Sequence, residues 1–189
     1  MGTIKTTNIE SISGSGTVTL GTSGETFDIP SGVTLDATGT TITGFGGSAN
    51  DPSFHAYNPQ NGSVANNTTI TVSNNTELFD SSAAYNTSTY KFTPQVEGYY
   101  YLYANVRYQS GTTTFDRINL IIDKNGGTGV LAARNNNTDY STCSVSGMVS
   151  ANGSSDYFTM TTYQNSGGAD AITTDDEYTY FGGFLVKKT

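Results

Sequence analysis

The chain has 189 residues, with 13 Tyr, 9 Phe and no Trp, and a formal net charge of −8 from 16 acidic against 8 basic residues. That charge argues against nucleic acid, whose phosphates require Lys and Arg to displace their counterions, and against insertion in or attraction to an anionic membrane. No apolar run reaches transmembrane length, the first ten residues lack the apolar stretch of a signal peptide, and a lone Cys143 excludes an intrachain disulfide or a cysteine-built metal site.

Residues 1–50 contain only two aromatics, Phe27 and Phe45. Short alternating pieces, "GTVTLGTSG", "ETFDIPSG", "VTLDATG" and "TTITGFGG", are separated by turn signals such as Pro30-Ser31-Gly32. Alternation of this kind predicts strands of about four or five residues. Strands so short bury no two-sided core alone and are stabilised by stacking or by winding with other chains. Residues 1–50 are therefore expected to form a β-rich shaft or attachment segment. "GFGGSANDP" then hinges it to a head domain over residues 51–189.

Beyond the hinge the aromatics become dense. Strand-type runs fall near 54–57, 68–72, 77–80, 89–93, 98–108, 115–123, 128–134, 140–150, 156–163 and 177–187, separated by Gly, Asn and Ser clusters. No segment keeps a helical period. Many short strands with regular turns predict an antiparallel sandwich. "NGGTG" at 125–129 reads as a hairpin turn, since a phosphate loop would continue into Lys and a helix. Cys143, in phase with Val145 and Val149, reads as a small buried hydrophobe.

"EGYYYLYANVRY", residues 97–108, is the most informative stretch. Alternation puts Tyr100, Leu102, Ala104, Val106 and Tyr108 on one face, an ordinary core face. The other carries Tyr99, Tyr101, Tyr103, Asn105 and Arg107. The last run repeats the feature: Phe181, Gly183 and Leu185 lie on one face, and Tyr178, Tyr180, Gly182, Phe184 and Val186 on the other. A lone sandwich in water needs only one apolar face per sheet, and a second one marks an interaction surface. Each ring burying ~100 Å² at ~25 cal/mol/Å² contributes ~2.5 kcal/mol before the costs of assembly. Tyr99, Tyr101, Tyr103, Tyr178, Tyr180 and Phe184 are thus expected to meet other copies of the chain.

A family pattern lies in the ordered set "FHAY" (54–57), "STYKFTPQVEGYYYLYANV" (88–106), "LIIDKNG" (120–126), "SVSGMV" (144–149), "NGSSDYFTM" (152–160) and "YFGGFLV" (180–186). Together these resemble the globular head of complement component 1q and its relatives in the tumour necrosis factor superfamily. The resemblance implies a ten-stranded antiparallel jelly roll assembled as a compact homotrimer, with an aromatic stripe at the threefold axis. It implies that Phe92, Tyr100, Leu102, Phe158, Phe181, Gly183 and Leu185 are core, and that Tyr101, Tyr103, Tyr180 and Phe184 face the axis. Animal complement heads follow a collagen stalk; here the Thr/Gly-rich segment takes its place and looks like the β-structured shaft pieces of phage tail and head fibres.

Catalytic inventory is thin. His55 is the only histidine and stands on the opposite parity to Phe54 and Ala56, as a solvated or interface residue would. No Gly-x-Ser-x-Gly elbow occurs. Asp170, Asp175, Asp176 and Glu177 fall on one expected loop; Asp175, Asp176 and Glu177 are weak calcium candidates, without EF-hand spacing. No other cofactor is expected, and no enzyme. Recognition is expected instead, at loop tips 58–63, 134–141 and 165–177, with Asn135, Asn136, Asn137, Asp139 and Tyr140 as receptor-binding candidates. The expectation is a phage virion fibre: residues 1–50 contact other virion proteins, and the head binds a host-surface glycan or protein multivalently. The alternatives are a capsid or tail decoration protein without a receptor, and a secreted bacterial adhesin or ligand of the same fold.

Overall fold

The computed structural model describes residues 51–59, 62–109, 115–127, 129–136 and 141–189. The expected shaft over residues 1–50 lies outside these. The described residues form thirteen strands: β1 (Ser53–Tyr57), β2 (Ser63–Val64), β3 (Thr68–Thr71), β4 (Thr76–Asp80), β5 (Tyr85–Asn86), β6 (Lys91–Phe92), β7 (Glu97–Gln109), β8 (Arg117–Lys124), β9 (Gly129–Asn135), β10 (Thr142–Asn152), β11 (Phe158–Asn165), β12 (Asp170–Ile172) and β13 (Tyr180–Lys188). No helix occurs among them.

The strands build two antiparallel sheets. The first has seven strands, ordered β2-β12-β7-β13-β1-β4, with β10 also paired to β7. β7 is its axis: β10 follows one edge from Glu97 to Arg107, while β13 and then β12 follow the other. The second has six, ordered β5-β6-β11-β8-β9, with β3 added to the β6 edge of β11.

All ten expected runs correspond to strands. The count rises from ten to thirteen because β2, β5 and β12, two or three residues each, are too short to show alternation. β12 corrects the expectation of an uninterrupted loop over 165–177: Asp170 and Ile172 are buried and pair with β2 and β7. The final strand begins at Tyr180 rather than near 177, because Asp175 to Thr179 form a turn in which Tyr178 N–H and Thr179 N–H donate to the Asp175 carbonyl at 3.1 Å each.

The core is the space between the sheets, filled by the faces that alternation picks out. Tyr100, Leu102, Val106 and Tyr108 from β7 meet Ile118, Leu120 and Ile122 from β8 and Phe158 and Met160 from β11, all at most 1% exposed. Phe54 stacks on Phe92 with ring centroids 4.3 Å apart and meets Phe181 edge-on at 5.0 Å. The buried phenols keep partners, as the cost of an unpaired hydroxyl demands. Tyr85 donates to the Asn74 carbonyl at 2.8 Å, Tyr100 to the Val96 carbonyl at 2.6 Å, and the Tyr108 and Thr162 hydroxyls lie 3.0 Å apart. Burial pushes the Tyr100 phenol up to about 12, with the Asp51 charge adding to it. Cys143 is buried and unpaired, as its phase predicted.

Candidate functional site

The outer face of the first sheet carries the second aromatic array. β7 contributes Tyr99, Tyr101 and Tyr103; β13 contributes Tyr180 and Phe184; β1 contributes His55. Register sets Phe184 opposite Tyr101 across β7 and β13, and His55 opposite Gly182 across β1 and β13. Tyr101 and Phe184 lie 5.7 Å apart between centroids, and Tyr103 and Tyr180 6.1 Å apart, edge to face. His55 extends the Tyr103–Tyr180 pair toward β4, 5.3 Å from Tyr180, 5.8 Å from Tyr103 and 6.4 Å from Phe79. Its Nδ1 shares a hydrogen bond of 3.1 Å with the Tyr103 hydroxyl.

The array is only half covered. Phe79 and Tyr99 are each 46% exposed, and Met148, which faces Tyr101 from β10, is 50% exposed. Between Tyr101, Tyr103, Tyr180, Ser144 and Ser146 lies an open depression of about 360 Å³. The Tyr101 hydroxyl donates to Ser146 Oγ at 2.9 Å, while the residue itself stays partly exposed. Such rings give large contact area at low entropic cost. Burial holds the His55 imidazole below its ordinary range, against Asp176, whose charge pulls it up; burial and the neighbouring Tyr180 push the Tyr103 phenol up.

Four of the six expected interface residues, Tyr101, Tyr103, Tyr180 and Phe184, are therefore brought into one patch. Tyr99 lies on the same face toward the Glu97 end. Tyr178 is separate: it lies in the turn before β13 with its ring over the Arg107 guanidinium at 4.3 Å. Phe79 and Met148 were not legible as members, because each is a single apolar residue whose neighbourhood depends on which strand pairs with which. Val186 is 46% exposed at a register irregularity between Leu185 and Lys187.

The other candidates are less gathered. Asn135 closes β9, and its side chain is engaged by the chain itself: Nδ2 donates to the Thr142 carbonyl at 2.7 Å, and Oδ1 accepts from Asn136 N–H at 2.8 Å. Asn136 is exposed, and Asn137, Asp139 and Tyr140 lie outside the described residues. Asp175, Asp176 and Glu177 are exposed on the turn before β13, and no group of three or more His, Cys, Asp or Glu among the described residues is placed to hold a metal ion. The 58–63 tip is partly structural, with Asn58 buried.

Known proteins share this architecture. Murine APRIL at pH 8.5 is similar with a TM-score of 0.54 and 12% identity over 70% of this chain and 97% of that one. The globular domain of zebrafish complement 1qA protein is similar with a TM-score of 0.50 and 17% identity over 73% and 98%, and Eiger TNF from S. frugiperda with 0.52 and 12% over 72% and 92%. At these identities the likeness is one of fold. No curated protein matches the chain in sequence. The family model of the C1q domain matches residues 54–186, most of the chain and nearly the whole span of the two sheets, and the chain belongs to the C1q domain family.

Proposed function

We propose that the chain is a homotrimeric fibre protein on the surface of a bacteriophage virion, with a non-catalytic binding head. Residues 1–50 are the β-rich attachment segment and contact other virion proteins. The head, residues 51–189, meets two further copies through the outer face of its first sheet and presents its remaining surface to a host glycan or protein. Three copies multiply a weak contact wherever the receptors can be spanned together.

The observation that carries the trimer is the open array of Tyr101, Phe184, Tyr103, Tyr180 and His55 on a sheet whose opposite face already fills the core. A contiguous apolar patch of that kind is unfavourable in water and is stabilised by covering it. The virion setting rests on the shaft-like pattern of residues 1–50. Sedimentation of the purified chain tests the assembly: the expected mass is three times 20.0 kDa, and a monomer at micromolar concentration overturns it. Imaging of intact particles tests the setting, with the head expected outermost and its loops uncovered.

A further inference from the structure

The outward face of the second sheet has a different chemistry. Register draws one row across it: Thr69 of β3, Tyr163 of β11, Asn119 of β8 and Arg134 of β9. Arg117 stands in the next row of β8, diagonal to Arg134 and roughly 7–8 Å from it between Cα atoms. Its guanidinium lies over the Tyr163 ring at 4.4 Å, and the Tyr163 hydroxyl donates to Asn67 Oδ1 at 2.8 Å, which fixes the ring beneath it.

Neither guanidinium is ion-paired among the described residues. Among the described residues the only ion pair joins Lys124 and Asp156, at 2.8 Å. Arg117 Nε is shielded from solvent without a hydrogen-bond partner, so the group lies against the sheet instead of waving in water. Arg134 is exposed. In a chain of net charge −8 with 16 acids, two of the three arginines stand on one face without an ion pair among the described residues. On the strands of that face Asp123 stands two rows from Asn119 along β8 and accepts the Thr161 hydroxyl at 2.5 Å.

We propose that this face binds a carboxylate-bearing polysaccharide. Arg117 and Arg134 take the carboxylates, since the guanidinium fork matches a carboxylate and is less strongly hydrated than an ammonium. The Asn119 amide and the exposed Thr69 and Thr71 hydroxyls offer hydrogen bonds to sugar hydroxyls. The row itself is built of polar and aromatic side chains, Thr69, Tyr163, Asn119 and Arg134, rather than the aliphatic ones that would seat the anchors of an acidic peptide. The site lies on the sheet opposite the aromatic array.

The proposal deepens the host-surface reading and rests on it for its setting. Its test is calorimetric titration of the full chain with short oligomers of alginate, a uronic-acid polymer, beside dextran and polyglutamate. Binding of alginate alone is expected, and Arg117→Gln and Arg134→Gln should each weaken it roughly tenfold. Arg134→Gln removes an exposed group and leaves the fold intact, which circular dichroism checks. Tyr101→Asp should leave the affinity per site unchanged. Equal binding of dextran, equal binding of polyglutamate, or undiminished binding by the double variant overturns the proposal. If alginate fails to bind while the chain still decorates host cells, this site falls and the host-surface reading stands; if neither binds, both fall.

Discussion

Tyr103 closes over Gly182. The two residues face each other across β7 and β13, and a Cβ on Gly182 would fall within the space of the Tyr103 ring. The next residue does the same on the other side: a Cβ on Gly183 would collide with Leu102 in the core and stand 2.9 Å from the Tyr101 carbonyl oxygen. One glycine thus admits an aromatic ring to the outer face, and its neighbour admits an aliphatic side chain to the inner one.

Exchange of these glycines separates the two faces. Gly182→Ala displaces the far end of a ring that can swing into solvent, so the fold should survive with Tyr103 moved away from His55. Gly183→Ala meets backbone and a packed side chain and should cost about 1–3 kcal/mol of stability. Denaturant unfolding of both variants checks this, with a larger loss for Gly183→Ala expected.

The array should be the assembly surface. Tyr101→Asp or Tyr180→Asp puts a carboxylate where other copies are expected to exclude water, and burying that charge is costly. Each variant should dissociate to a folded monomer, seen as a fall in sedimenting mass with an unchanged circular dichroism spectrum. A variant that stays trimeric at dilute concentration contradicts this role.

His55 should make the fold sensitive to mild acid. Burial lowers its pKa below 6.5 in the folded state. Between the folded and unfolded values the unfolded chain binds more protons, so stability falls as pH drops through about 6.5. Asp51 and Asp156, whose pKa values are lowered from 3.8, act in a lower range, where protonation removes their stabilising bonds. The melting temperature should therefore fall from about pH 7.5 to pH 5.5 in the native chain and less in His55→Gln. Equal slopes in the two proteins would assign the effect elsewhere.

Asp156 holds the β10–β11 connection to the β8–β9 hairpin. It pairs with Lys124 at 2.8 Å, accepts from Asn125 Nδ2 at 2.8 Å and from Asn152 N–H at 2.9 Å, and is 8% exposed. Asp156→Ala leaves these donors without their acceptor and should cost about 1–3 kcal/mol. Hydrogen exchange should quicken at Asn152 more than in the β7 core.

Much of the head was legible because a strand has a period of two. The parity of residues 97–108 separates core from array without reference to any partner strand, and the buried set Tyr100, Leu102, Ala104, Val106 and Tyr108 follows it throughout. The same rule placed Phe181 and Leu185 inside, with Tyr180 and Phe184 outside. It failed where a strand was too short to alternate, as at β2, β5 and β12, and at Tyr178, where a turn set by the left-handed backbone of Asp175, φ 92°, replaces the start of a strand.

Alternation along a single strand is enough to say which residues face inward and that a second aromatic face exists. That His55 and Phe79 join Tyr103 and Tyr180, and that Arg117 and Arg134 share the opposite face, emerges only from the assembled sheets. Those neighbourhoods depend on register between strands far apart in the chain, such as Phe54 to Gly183 and Asn119 to Arg134. Register is set by the packing of the whole sandwich, and no local period encodes it.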